Sequence, residues 1–197
     1  MLKRLSLVLL LGLTGLSALA QEGALRLPEP PEDKASWRAT GELARLIDAM
    51  EKSSGESRKV FESLSADQMN WSPPNGTHTP RWNAEHMAGR QLLFFSQIYA
   101  AIDPKTHRVI DINPAQMPPD YQPAHPEWTG AEEALQVQRI GEYVRSFAYL
   151  LEGLDLDEKA PGSRWTPRGL LRQMDRHYRE HTANVIKKFD LPAWPQE

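Results

Sequence analysis

The chain has 197 residues, no cysteine and a formal net charge of −3. Without a basic excess there is nothing to neutralise a phosphate backbone, so no nucleic-acid partner is expected. Without cysteine there are no disulfides, so a hydrophobic core or a bound ligand has to hold the domain together.

The first element is Met1-Leu2-Lys3-Arg4, a short basic region, followed by a leucine-rich run from Leu5 to Leu16 and the small residues of Ala18-Leu19-Ala20. This order reads as a secretory signal peptide over residues 1–20, cleaved after Ala20. Its apolar run is short for a bilayer span, so no stable membrane insertion is expected after cleavage, and the mature protein is expected in the periplasm or the extracellular medium. Residues 21–36 include Leu27-Pro28-Glu29-Pro30-Pro31-Glu32-Asp33-Lys34. Prolines at that density favour an extended arm, either a tether or a wrapping segment. Residues 37–197 remain for the folded domain, enough for one core.

A first helical segment is predicted from Trp37 to Leu64, with Leu43, Ile47, Met50, Phe61 and Leu64 on one face. Ser54 and Ser57 interrupt that face, which implies a locally weak helix, a tight helix crossing or a wall cut back around a cavity. A second helix starts at Thr79-Pro80, a capping hydroxyl followed by proline in the first turn, and runs to Ile102. Trp82, His86, Gly89 and Leu93 form its inward stripe. Between Asp103 and Trp128 stand Pro104, Pro114, Pro118, Pro119, Pro123 and Pro126, which forbid a long helix and leave a crossover long enough to join parallel neighbours. A third helix is predicted over Gly130 to Gly153, with Val137, Ile140, Val144, Phe147 and Leu151 inward. A fourth repeats the Thr-Pro start at Thr166-Pro167 and runs to Phe189. No run alternates with period two. The expected architecture is therefore an all-α four-helix bundle, up-down-down-up, with the long crossover between the second and third helices.

The fourth helix carries His177 and His181 on its apolar face. Side chains at i and i+4 point the same way, so two imidazoles there can reach one ion. An up-down-down-up order sets the second and fourth helices antiparallel, which brings His86 level with that pair. Three neutral imidazoles would hold one divalent ion, zinc first and nickel or iron(II) next, and leave a position open for water or substrate. Such an ion lowers the pKa of bound water or takes up a thiol as thiolate. Tyr178 follows His177 where a zinc protease would carry glutamate, so that chemistry is not supported.

The stretches Leu64-Ser65-Ala66-Asp67-Gln68-Met69-Asn70-Trp71, Trp82-Asn83-Ala84-Glu85-His86-Met87 and Leu170 to His181 together resemble the DinB/YfiT-like superfamily of four-helix-bundle metalloproteins. The resemblance covers Trp37 to Phe189 and rests on the order and spacing of short motifs. It implies His86, His177 and His181 as the metal triad, the up-down-down-up topology, and often a homodimer. Some members of that superfamily look like transferases or isomerases that use a small thiol, others are metal-dependent hydrolases and many have no known reaction, so the resemblance implies a metal-dependent enzyme acting on a small-molecule substrate, with export arguing against the cytosolic thiol cofactors.

Among the remaining candidates, Arg90 lies one turn after His86 and could meet a substrate carboxylate, though an arginine at the edge of an apolar stripe more often snorkels to solvent. Tyr178 could line the cavity, but core packing with its hydroxyl at the rim is the expectation. Glu85 and Glu180 flank the candidate ligands in sequence and are expected on solvated faces. His78, His107 and His125 are expected as surface loop residues, with His125 the one best placed to fold over the bundle mouth. Trp71, Trp82, Trp165 and Trp194 are expected to seal segment ends. No general base accompanies the triad in sequence, so a non-catalytic module that binds a small molecule or metal is the rival reading. A purely structural bundle is the third.

Overall fold

The computed structural model describes residues 25–114 and 120–196. The expected signal peptide and its cleavage site lie outside them. Five α-helices are present among the described residues: α1 (Gly41–Glu62), the short α2 (Ala66–Asn70), α3 (Pro80–Ile102), α4 (Gly130–Ser146) and α5 (Pro167–Ile186). Single 3-10 turns occupy Glu32–Lys34 and Ala148–Leu151, and no strand occurs among the described residues.

The helix starts follow from capping chemistry. The Thr79 hydroxyl accepts from the Trp82 amide at 3.0 Å, and the Thr166 hydroxyl accepts from the Gly169 amide at 2.9 Å. Pro80 and Pro167 occupy the first helical positions, where an amide proton would be unsatisfied in any case. Ser65 and Gln68 cap α2 reciprocally. Predicted boundaries move at both ends of the first helix, which stops at Glu62 rather than Leu64, at the end of the third, and at the end of the fourth, which stops at Ile186 rather than Phe189. The first helix begins at Gly41 rather than Trp37, because the Trp37 indole donates to Glu152 at 2.8 Å and lies edge-on to Tyr149. The third helix ends at Ser146 rather than Gly153. Phe147 leaves helical geometry there, becomes fully buried, and the chain tightens into the 3-10 turn.

Cross-helix bonds establish the topology. Between α1 and α5, Ser53 bonds Asp175 and Ser57 bonds Thr182, so the residue numbers rise together and the helices are parallel. Between α1 and α4, Glu51 pairs with Arg145 and Arg58 with Gln138, an antiparallel order. Arg81 to Glu133 and Tyr99 to Val144 make α3 and α4 parallel. Asn83 to His181 and Phe94 to Trp165 make α3 and α5 antiparallel. The four long helices therefore form an up-down-down-up bundle in which α1 and α3 each pack on α4 and α5.

The serines of α1 serve two of the expected purposes. Ser57 and Thr182 approach to 2.6 Å, a crossing that larger side chains would hold apart. Ser54 instead faces a cleft of about 270 Å³ lined also by Arg58, Gln91 and Gln138.

The crossover is closely anchored. His107, expected on the surface, is 4% exposed: it packs edge-on to Phe147 at 4.3 Å and its Nδ1 lies 3.2 Å from the Tyr143 hydroxyl. The Ile110 amide donates to Ser96 at 2.9 Å. Asn113 crosses α3 at Gly89, where a Cβ would stand 2.6 Å from the Asn113 Cα. Glu85, expected on a solvated face, accepts from the Tyr121 hydroxyl at 2.7 Å and the Ala124 amide at 3.1 Å. Arg81, with no exposed surface, pairs with Glu133 at 2.7 Å, donates to Asn70 at 2.7 Å, and holds the Pro126 and Trp128 carbonyls. One buried guanidinium thus ties α2, α3, α4 and the end of the crossover together.

The arm also touches the bundle: Leu25 and Leu27 pack against the core, and the Lys34 ammonium lies 5.6 Å from the Tyr149 ring. At the other end Trp194 packs on Trp71 and Phe189, with centroid distances of 5.3 and 4.9 Å. No described helix is long and apolar enough to cross a membrane.

Candidate metal centre

Because α3 and α5 run antiparallel, the second turn of α3 lies beside the last three turns of α5. His86 comes from the first, His177 and His181 from the second, and each offers one ring nitrogen such that all three lie within 4.8 Å of one another. Ring centroids are 5.0 Å apart for His86 and His177, 5.1 Å for His86 and His181, and 4.3 Å for the α5 pair. The three rings are partly buried. Two of them carry a buried nitrogen with no hydrogen-bond partner, Nδ1 of His86 and Nε2 of His177. Buried polar atoms are normally satisfied, so an unpartnered nitrogen on each of two rings that cluster with a third imidazole is compatible with an acceptor of lone pairs at the site.

The third ring is oriented by a residue the sequence reading passed over. His181 Nδ1 lies 2.7 Å from the Asn83 Oδ1, and the Asn83 amide nitrogen donates to the Thr79 carbonyl at 2.8 Å. The Thr79 carbonyl requires the NH₂ side of Asn83, which leaves Oδ1 facing the ring. His181 Nδ1 must then carry the proton, and Nε2 keeps its lone pair. Asn83 is three residues before His86 and 2% exposed, so its position on the inward face of α3 was available from helical spacing. Its partner was not.

Trp82, 3% exposed, stacks on His86 at 4.3 Å with an interplanar angle of 14°. His78 rests on the same indole at 3.7 Å. His78 is therefore part of the wall around the triad and not a free loop side chain. His125 stacks on Trp128 at 3.8 Å and its Nδ1 lies 3.3 Å from the Glu127 carboxylate.

Burial dominates the electrostatics. It lowers His86 to about 4, helped by the charges of His181 and Arg90. It lowers His177 to about 3, helped by His181 and His86, and His181 to about 4, helped by His78. All three imidazoles are neutral at neutral pH, the state a metal ligand needs. Arg90 is close enough to act on both His86 and His177, with its guanidinium 5.7 Å from the Phe94 ring. Tyr178 packs in the core as expected, with no exposed surface, but its hydroxyl donates to Gln91 there and does not reach a rim. Glu180 is solvated as expected, 62% exposed and 3.8 Å from Arg176. Three neutral nitrogen donors, two of them otherwise unpartnered, fit a borderline divalent ion, so the arrangement is compatible with metal binding.

No curated protein and no solved structure matches the chain. The family model of the DinB superfamily matches residues 49–185, a span that runs from within α1 almost to the end of α5 and includes all three histidines. The chain belongs to the DinB superfamily.

Proposed function

We propose that this protein is an exported metalloenzyme that holds one divalent ion, zinc first, on His86, His177 and His181 and acts on a small molecule as a hydrolase or a thiol-dependent transferase. The observation that carries the proposal is the pair of buried, unpartnered nitrogens on His86 and His177 beside the oriented ring of His181. A divalent ion there supplies Lewis acidity toward a coordinated water or thiol. The protein's own contribution is to position and exclude. Asn83 fixes the tautomer of His181, Trp82 covers one face of His86, and Arg90 offers a charge to an anionic substrate group.

The test is elemental analysis of tag-free protein purified without chelator, beside His177→Ala. About one equivalent of metal in the parent and little in the variant is the expected result. Stoichiometric metal retained in a variant lacking all three histidines rules the assignment out. A second reading has its own observation. The carboxylates nearest the ligands in sequence are turned elsewhere, Glu85 to Tyr121 and Ala124 and Glu180 to Arg176. A site without its own proton acceptor suits a module that binds a metal or a small molecule without turning it over. Hydrolysis or thiol transfer on a broad panel of esters, amides and electrophiles, lost with the metal, decides for the enzyme.

A further inference from the structure

A groove of about 320 Å³ lies where the amino end of α3 meets the carboxyl end of α5. Its walls include His78, Asn83, His181, Asn184, Lys187 and Lys188, and none of its lining residues is acidic. It shares His181 and Asn83 with the metal centre. The unusual member is Lys188, only 4% exposed. Its ammonium donates to the Asn184 carbonyl at 2.9 Å, and among the described residues no carboxylate pairs with it.

Capping the end of α5 accounts for one of the three ammonium protons. A buried cation with a single neutral acceptor is otherwise uncompensated, and desolvation lowers the Lys188 pKa accordingly. The second signal is independent of it: His78 Nε2 is buried and has no partner, in the same groove. Lys187 adds an exposed charge at the rim. The helix dipoles contribute little net field, because the positive end of α3 and the negative end of α5 meet here and offset each other.

We propose that this groove binds the anionic oxygen group, carboxylate or phosphate, of a small molecule, with Lys188 as its buried counter-charge and His78 Nε2 as a hydrogen-bond donor. An anion held there abuts His181, so the groove selects substrates that carry a negative group beside the reacting bond. That last link rests on the metal reading; the anion site itself does not. The groove thus adds Lys188, on the α5 side, to the charge that Arg90 offers from α3.

The experiment is calorimetric titration of the purified protein with inorganic phosphate and, separately, with acetate, at constant ionic strength set with sodium chloride, on metal-loaded and metal-stripped samples. Saturable binding of at least one anion is expected in both samples. Lys188→Met should weaken it on the order of tenfold to hundredfold, the scale of a lost charged hydrogen bond. Lys188→Arg should keep it within a few-fold. Should Lys188→Met fail to fold, His78→Phe retains the stack on Trp82 and removes the donor, and is expected to weaken binding several-fold. No saturable binding by the parent overturns the proposal, as does affinity unchanged in His78→Phe and in any folded Lys188→Met. Binding confined to metal-loaded protein and indifferent to Lys188 puts the anion on the metal and also overturns it. Lys188-dependent binding in a protein that retains no metal upholds the groove while the metal reading fails.

Discussion

At the scale of single residues the centre depends on how firmly each imidazole is aimed, and Asn83 is the most informative position. It is not one of the three candidate ligands, yet it decides which nitrogen of His181 is free. Asn83→Leu keeps the volume and removes the acceptor, and metal affinity should fall by roughly 10- to 100-fold, the usual range for residues that orient ligands. Competition against a chromophoric chelator measures this, and an unchanged affinity would mean that His181 needs no support. The three histidines were legible in the sequence because i, i+4 spacing and antiparallel helices are rules of geometry. Asn83, His78 and Lys188 were not, because what distinguishes them is the partner each meets or lacks. An asparagine on an inward stripe looks like any small polar residue until the carbonyl of Thr79 is known to lie behind it. His107 was misplaced for a related reason: a proline-rich connection reads as surface, and nothing in its composition announces the Phe147 and Tyr143 rings that bury this histidine.

At the scale of elements the telling segment is the crossover, which a loop-length argument alone would leave loose. Arg81 anchors its far end, and the pair with Glu133 is buried on both sides, with side-chain exposures of 0% and 4%. Burial and the charge of Glu85 push Glu133 up, while Arg81 pulls it back toward the ionised form. Arg81→Met leaves a buried carboxylate, the Asn70 Oδ1 and the Trp128 carbonyl without their donor, while the Pro126 carbonyl keeps the Asn70 amide, and should cost about 3–5 kcal/mol in denaturant unfolding. Arg81→Met with Glu133→Leu should recover much of that loss, since replacing both members removes the uncompensated charge. A double variant no more stable than the single one would show that the carbonyl and Asn70 bonds, and not the ion pair, are the main contribution. Near the middle of the crossover, Gly89→Ala drives a Cβ into the Asn113 backbone. Backbone cannot rotate aside as a side chain can, so a loss of about 1–3 kcal/mol is expected in the same assay. Helix starts were legible because Thr79-Pro80 and Thr166-Pro167 are local signals. The ends near Trp37 and Phe147 were not, since tertiary contacts overrode a periodic pattern that continued past them.

At the scale of the whole molecule, the topology follows from one long connection and three shorter ones, and that topology is what gathers the histidines. The same gathering makes the metal-free protein sensitive to acid. His86, His177 and His181 titrate at about 4, 3 and 4 when folded. In the unfolded chain they titrate near 6.5. Between those limits the unfolded state binds more protons, so stability rises with pH. The contribution is complete above about 6.5 and is lost as pH falls toward 4. His78 and His107, also lowered by burial, act in the same sense. Glu85 and Glu133, raised by burial, act in the opposite one. The triad's share is therefore read by difference. Metal-stripped parent protein should lose thermal stability between pH 6.5 and 4 more steeply than stripped His177→Leu, which has one fewer buried imidazole to protonate. Metal should raise the melting temperature of the parent at neutral pH and leave that of His177→Leu nearly unmoved, because an ion that binds only the folded state stabilises by mass action. Equal acid slopes in the two stripped proteins would mean that the rings are already hydrated in solution, and the dry, neutral donor set on which metal binding depends would have to be given up.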